Sequence, residues 1–105
     1  MLFRSRGGKW LVLLDGKDSP EFDGLDELHF SPDSKRFAYG AARGNRWRSV
    51  VDGKEGMEHN ALGDGTPLFS PDSKRVAYIG KSDGKEVVVI DGVKGKEYEI
   101  GRAHV

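Results

Sequence analysis

The sequence predicts an all-β protein made of β-propeller blades, each with four antiparallel strands. The segment Phe-Ser-Pro-Asp-Ser-Lys-Arg occurs twice, at Phe30–Arg36 and Phe69–Arg75, so the chain contains an internal repeat with a period of 39 residues. A period near 40 residues that is filled with short strands and turns is typical of propeller blades. No window of the sequence shows a sustained helical period of about 3.6 residues, so we expect essentially no helix.

Three copies of one unit can be followed along the chain. Each copy has an apolar strand, a turn with glycine, and a second strand that ends in Asp-Gly, at Asp15, Asp52 and Asp91. Asp-Gly after an apolar run favours a tight hairpin turn with positive φ. Ser-Pro-Asp-Ser favours a type I turn, because proline presets φ and the aspartate side chain can hydrogen-bond the turn backbone. We therefore expect Asp33 and Asp72 to serve the turns rather than to act as ligands or acids.

The strands around each Asp-Gly pair differ in character. Val87–Ile90 is β-branched throughout, which predicts a strand buried on both faces. The residues after the Asp-Gly pairs form short polar strands, Glu21–Asp23, Glu58–Asn60 and Glu97–Glu99, which suit an outer edge where charge deters mispairing. His59 lies in one of these outer strands, so we expect its side chain to be solvated.

The composition limits the possible functions. Seventeen basic residues balance seventeen acidic ones, so a generic surface for nucleic acid is not expected. The absence of cysteine excludes disulfides and thiolate metal sites. The N-terminus has no apolar run typical of a signal peptide, and the longest apolar runs are too short to span a membrane. We expect a soluble protein without membrane contact, cytoplasmic if the chain is complete.

The repeated motif resembles that of a known family. Phe-Ser-Pro-Asp-Ser-Lys-Arg-Val-Ala-Tyr, followed by Val-Val-Val-Ile-Asp-Gly, is similar to the WD-like repeats of TolB-type β-propellers. The resemblance covers nearly the whole chain, although it departs from true WD repeats because no Trp-Asp or Gly-His pair stands at the expected places. It implies that the Phe-containing strand is innermost, followed outwards by the Ala-Tyr, Asp-Gly and polar strands. It implies a binding platform and no particular enzymatic activity.

The number of strands predicts about three blades per chain, over residues 1–25, 26–62 and 63–100. Propellers close with about four to eight blades, so three blades cannot form a ring alone. We expect a homodimer that forms one six-bladed ring, in which residues 102–105 of each chain complete the first blade of the partner. The alternative is that the chain is a fragment of a longer propeller and associates more loosely.

Two histidines, His29 and His104, occupy equivalent positions on the predicted innermost strands. Histidines near a channel can bind zinc or another divalent metal, and a metal with an open coordination position can activate water. The alternative function is therefore a small metal-dependent hydrolase that acts on esters or phosphoesters. We favour the structural interpretation, in which each histidine packs between blades and hydrogen-bonds a backbone group. On that interpretation no cofactor is needed.

One basic and aromatic cluster, Arg43, Arg46, Trp47 and Arg48, is a candidate binding site for a ligand or partner. Arginines beside an indole can bind phosphate or stack on a base. The structural alternative is that Trp47 packs at a blade face with the arginine stems over it. The main functional prediction is a non-enzymatic homo-oligomer whose ring face or channel binds a protein, peptide or small molecule.

Overall fold

The structure is a computed structural model that describes residues 2–14, 16–63 and 66–99. These residues form twelve strands and no helix, and all the strand pairs among them are antiparallel. The prediction of an all-β protein with antiparallel sheets is confirmed. Asp15, His104 and the predicted terminal strand at 102–105 lie outside the described residues.

The first sheet contains three described strands in the order β1-β2-β3, which are β1 (Leu2–Arg6), β2 (Lys9–Leu14) and β3 (Lys17–Asp18). Beyond β3, the backbone of Phe22 pairs with that of Trp10 through two hydrogen bonds of 2.7 Å. This pairing holds Phe22 beside β2, although the residues between β3 and Phe22 are not in a strand.

The second sheet has four strands in the order β4-β5-β6-β7. They are β4 (Gly24–Phe30), β5 (Phe37–Arg43), β6 (Arg46–Val51) and β7 (Lys54–His59). The Ser-Pro-Asp-Ser turn joins β4 to β5, and the Asp-Gly turn joins β6 to β7. Asp52 and Gly53 have φ values of 52° and 85°, as expected for a hairpin turn of this type.

The third sheet contains β8 (Ala61–Leu62), β9 (Leu68–Phe69), β10 (Val76–Ser82), β11 (Lys85–Ile90) and β12 (Val93–Glu99). Its order is β12-β11-β10-β8, and β9 also pairs with β10. The sheets begin slightly earlier than the predicted blade limits, because Gly24 and Leu25 pair with β5 and residues 61 and 62 pair with β10.

The backbone pairing makes the three sheets comparable position by position. Equivalent residues are 37 apart between the first and second sheets and 39 apart between the second and third. By this rule Leu13, Val50 and Val89 are equivalent, and so are Phe22, His59 and Tyr98. Residues related in this way are called equivalent.

The sheets pack face to face in chain order through two interfaces. The first interface joins the first and second sheets through a buried cluster of Val12, Phe22, Tyr39, Ala41 and Val50. The second interface joins the second and third sheets through Leu62, Tyr78, Val87 and Val89, with Trp47 and Met57 packed against them. Because side chains alternate along a strand, the second sheet sends one set of residues to each neighbour. It is therefore the sheet covered on both faces.

The prediction that Val87–Ile90 is buried on both faces is only partly correct. Val87 and Val89 are buried in the second interface, whereas Val88 is half-buried and Ile90 is 41% exposed. Val88 and Ile90 point away from the second sheet, because they alternate with Val87 and Val89. Their exposure follows from their position in the last sheet of the described chain, which has a neighbouring sheet on one side.

Candidate functional site

The three arginines of the predicted basic and aromatic cluster are paired with carboxylates. Arg43 donates to both carboxylate oxygens of Glu55, at 2.5 and 3.0 Å. Arg48 contacts Glu55 at 3.2 Å and also donates a hydrogen bond to Glu58. The Glu58 carboxylate lies 3.8 Å from the Arg46 guanidinium. The hydrogen bond from Arg43 is the main reason that the pKa of Glu55 is lowered, so this pair stays ionised. The positive charge of the cluster is thus largely compensated within the second sheet.

Trp47 lies on the opposite face of the second sheet from Arg48, its neighbour in β6. Trp47 packs into the second interface, whereas the Arg43 guanidinium lies over the Phe22 ring at 4.6 Å on the side of the first sheet. The structure therefore does not bring the indole and the arginines together into one surface. Ligand binding by Arg43, Arg46, Trp47 and Arg48 stays a prediction.

The predicted metal ligand His29 lies in β4, opposite Ala38 of β5, and is half-buried. The other predicted ligand, His104, is outside the described residues. Within the described part of the chain, no three His, Asp or Glu side chains are arranged to hold a metal ion. The histidine pair, and the hydrolase that it would serve, stay predictions.

The expectation that His59 is solvated is wrong. His59 is only 3% exposed, and its Nε2 lies 3.0 Å from the hydroxyl of Tyr78 in the second interface. Burial, followed by the charges of Lys94 and Arg46, lowers the pKa of His59 and favours the neutral ring. The sequence did contain a signal for this burial, because His59 aligns with Phe22 in the middle of otherwise polar segments.

The prediction that Asp33 and Asp72 serve their turns is confirmed. Each carboxylate accepts hydrogen bonds from a serine hydroxyl two residues earlier and from the backbone N–H two residues later. The serine hydrogen bond is the main reason that the pKa of each aspartate is lowered, with the backbone N–H second. These residues are therefore committed to turn structure.

The two Ser-Pro-Asp-Ser turns also contact each other. The backbone N–H of Asp33 donates to Ser73 Oγ at 3.0 Å. Arg36 donates to the carbonyl oxygens of Ser73 and Lys74, at 3.2 and 3.0 Å, and to Asp52 of its own sheet at 2.9 Å. These bonds fix the second and third sheets against each other at the end that carries the Asp-Gly turns.

A cleft of about 570 Å³, which the sequence did not predict, opens between the second and third sheets at this same end. Its apolar lining consists of Val51, Met57, Val76 and Tyr78, and charged residues surround its mouth. The size is within the range of small-molecule pockets. The sequence also offers three candidate binding loops, Arg6–Lys9, Ala41–Arg46 and Lys81–Lys85, and these are hairpins at the opposite end of the sheets.

The cleft follows from two small residues of the second sheet. Ser49 and Gly56 line it, and their equivalents in the first sheet are the larger Val12 and Ser19. Val12 is part of the packed cluster of the first interface. A Cβ on Gly56 would come within 3.0 Å of Ser49 Oγ, so glycine keeps this wall of the cleft thin.

A second candidate surface is the outer face of the third sheet, which we define by Val88, Ile90, Val93 and Tyr98. These side chains line one shallow concavity. Ile90, Val93 and Tyr98 are 41%, 70% and 36% exposed. The positions equivalent to Tyr98 in the preceding sheets are covered, since Phe22 is 1% exposed and His59 is 3% exposed. The outer face thus corresponds to the faces of the first and second sheets that pack against the next sheet. No described sheet covers it in the third sheet.

Comparison of the chain with protein-family models, with curated proteins and with solved structures finds no match. A search of the described residues for a helix long and apolar enough to cross a membrane finds none.

Proposed function

We propose that the protein is a β-propeller scaffold of the TolB-like type, in which two copies form one closed six-bladed ring. Each of the three sheets corresponds to one blade. The ring binds a protein, a peptide or a small molecule at its face or channel, without catalysis of its own. The observation that carries the proposal is the outer face of the third sheet, where Tyr98 is exposed while the equivalent Phe22 and His59 are buried.

The first sheet carries an apolar position, Leu13, that corresponds to the contact positions of the other two sheets. Leu13 is equivalent to Val50 and Val89. Val50 packs against the first sheet in the first interface, and Val89 packs against the second sheet in the second interface. Leu13 points away from the second sheet, because it alternates in β2 with Val12, which packs against that sheet. The third sheet of one copy can therefore pack on the first sheet of another, using the same positions twice, and such contacts close a ring if the rotation fits.

Exposed apolar surface of this kind is typical of sites of protein association. Its contact with a second copy also explains why four apolar side chains lie together on the outer face, among charged residues such as Arg75, Lys94 and Lys96. A rigid ring holds its connecting loops in fixed positions, and such loops commonly bind partners.

Sedimentation velocity over a range of protein concentrations tests the assembly. We expect a species of twice the chain mass, and we expect Ile90→Lys to convert it to monomer because a buried unpaired charge opposes the contact. Phe30→Lys is the matched control, because Phe30 is also exposed, at 52%, but lies on the second sheet away from both contact faces. A wild-type monomer at micromolar concentration, or equal effects of the two variants, would contradict the proposal.

A further inference from the structure

We infer that the cleft between the second and third sheets binds a small hydrophobic carboxylate, that is, a free aliphatic or aromatic acid. This inference does not depend on the ring, because both walls of the cleft belong to one chain. It assigns a ligand to a part of the molecule that lies away from the predicted loops and from the outer face of the third sheet.

The charges at the mouth of the cleft set the sign of the ligand. Three acidic residues line the cleft, and the carboxylate of each is paired with an arginine: Asp52 with Arg36, Glu55 with Arg43 and Arg48, and Asp91 with Arg75. Two lysines, Lys54 and Lys74, also line the mouth. Within the described chain, neither ammonium group is within ion-pair distance of a carboxylate. Lys54 and Lys74 are therefore the two charged side chains of the lining that have no ion-pair partner among the described residues, and their ammonium groups can receive an anion.

The floor of the cleft sets the shape of the ligand. Val51, Met57 and Val76 supply aliphatic surface, and the Tyr78 ring supplies an aromatic face. The Tyr78 hydroxyl lies 3.0 Å from His59 Nε2 and is already hydrogen-bonded to it. The floor therefore offers a ligand little hydrogen bonding through this hydroxyl. An apolar body on this floor with a single carboxylate toward the two lysines satisfies both parts of the site. A ligand without an apolar body would leave the floor in contact with water.

The first interface provides an internal comparison. Lys17 and Lys35 are the equivalents of Lys54 and Lys74, so the same pair of ammonium groups is available there. Val12 replaces the small Ser49 in that interface and packs against Phe22 and Tyr39. The second interface therefore combines the lysine pair with an opening between the sheets. That combination, rather than the lysines alone, defines the site.

Titration calorimetry with 3-phenylpropanoate and with octanoate tests the inference. We expect both acids to bind one site per chain, and 3-phenylpropanamide, the neutral analogue, to bind at least about tenfold more weakly because it lacks the charge. Acetate, which has the charge without the apolar body, should show no measurable binding. Absence of binding by both hydrophobic acids, or equal affinity for the acid and its amide, would overturn the inference.

Two pairs of variants locate the site. We expect Lys54→Ala with Lys74→Ala to weaken binding by about tenfold or more, whereas Lys17→Ala with Lys35→Ala removes the same net charge and changes affinity less than about twofold. Ser49→Val should abolish binding by placing in the cleft the residue found at the equivalent positions 12 and 88. Equal weakening by the two lysine pairs would overturn the assignment and indicate general electrostatic attraction.

The monomeric Ile90→Lys variant separates this inference from the proposed ring. Ile90 does not line the cleft, so the variant should bind 3-phenylpropanoate with an affinity within about twofold of the wild type. Unchanged binding by a chain that never dimerises would reject the ring and keep the cleft. A dimer that binds neither acid would reject the cleft as a ligand site and keep the ring.

Discussion

The two interfaces of the molecule use the same backbone arrangement but different side chains. At equivalent positions an aromatic edge meets a tyrosine, with Phe22 and Tyr39 centroids 6.4 Å apart in the first interface and His59 and Tyr78 centroids 5.4 Å apart in the second. The first interface is apolar at this contact. The second replaces the phenyl ring by a buried imidazole that needs a hydrogen-bond partner.

The difference extends to the residues around the rings. The first interface has Val12 where the second has Ser49, and the second opens into the cleft. The same backbone arrangement can therefore support one interface that serves mainly stability and another that accommodates a cavity and polar groups. The following predictions test this division between the two interfaces.

The largest effect is expected for Phe22→Ala. Phe22 is almost fully buried and packs on Tyr39, so its truncation should lower the free energy of unfolding by about 4 kcal/mol. Urea denaturation followed by fluorescence measures the loss. Glu21→Ala, at the exposed neighbouring residue, is the control and should change stability by less than about 0.5 kcal/mol. A loss below about 1 kcal/mol for Phe22→Ala would mean that the first interface is not a close-packed core.

A smaller effect should distinguish the two tyrosine hydroxyls. Tyr78→Phe leaves the buried His59 Nε2 without its partner, and should lower the free energy of unfolding by about 2 kcal/mol. Tyr39→Phe removes a hydroxyl bonded to Ser19, which has a second partner in the Pro20 carbonyl, and should lower stability by about 1 kcal/mol. Equal losses in matched urea titrations would contradict the difference between the interfaces.

The contact between the two Ser-Pro-Asp-Ser turns can be tested with an equivalent pair of serines. Ser34 and Ser73 have the same strained backbone, with φ values of 62° and 65°, but only Ser73 is buried and accepts the Asp33 N–H. Ser73→Ala should therefore lower the free energy of unfolding by about 1 kcal/mol. Ser34→Ala should change it by less than about 0.5 kcal/mol. A reversed order would exclude this hydrogen bond as a link between the second and third sheets.

The last prediction concerns the pH dependence of stability. The pKa of His59 is lower in the folded chain, so the unfolded chain binds the proton more readily. The stabilisation from the neutral ring is complete above the unfolded value of about 6.5, and is lost as the pH falls from there through the folded pKa. We expect the urea concentration at the unfolding midpoint to decrease as the pH is lowered from 7.5 to 5.

His59→Phe is the matched variant for this measurement, because it introduces the residue that the first interface has at the equivalent position. It should flatten the pH dependence over that range. Asp33, Asp72 and Glu55 also have lowered pKa values, but they remain ionised there and contribute only at more acidic pH. An unchanged slope in His59→Phe would assign the pH dependence to another group.

Much of the fold was predictable because it depends on local signals. The Asp-Gly pairs, the Ser-Pro-Asp-Ser turns and the β-branched run Val87–Ile90 each specify a turn or strand within a few residues. The strand order β4-β5-β6-β7 of the second sheet agrees with the order that the family resemblance implied. The burial of His59 and the opening of the cleft were missed, because they depend on which sheet faces which and on the volumes of residues far apart in sequence. Ser49 and Gly56 look unremarkable until Val12 is seen at an equivalent place.

Gly80 lies directly beneath the His59 ring, and a Cβ at this position would overlap the imidazole. Its equivalent in the second sheet is Ala41, which is fully buried near Phe22. The identity of residue 59 is therefore tied to the absence of a side chain at residue 80. A side chain at residue 80 could be accommodated only if the ring of residue 59 moved or became smaller, so the chain can vary residue 59 more freely than residue 80.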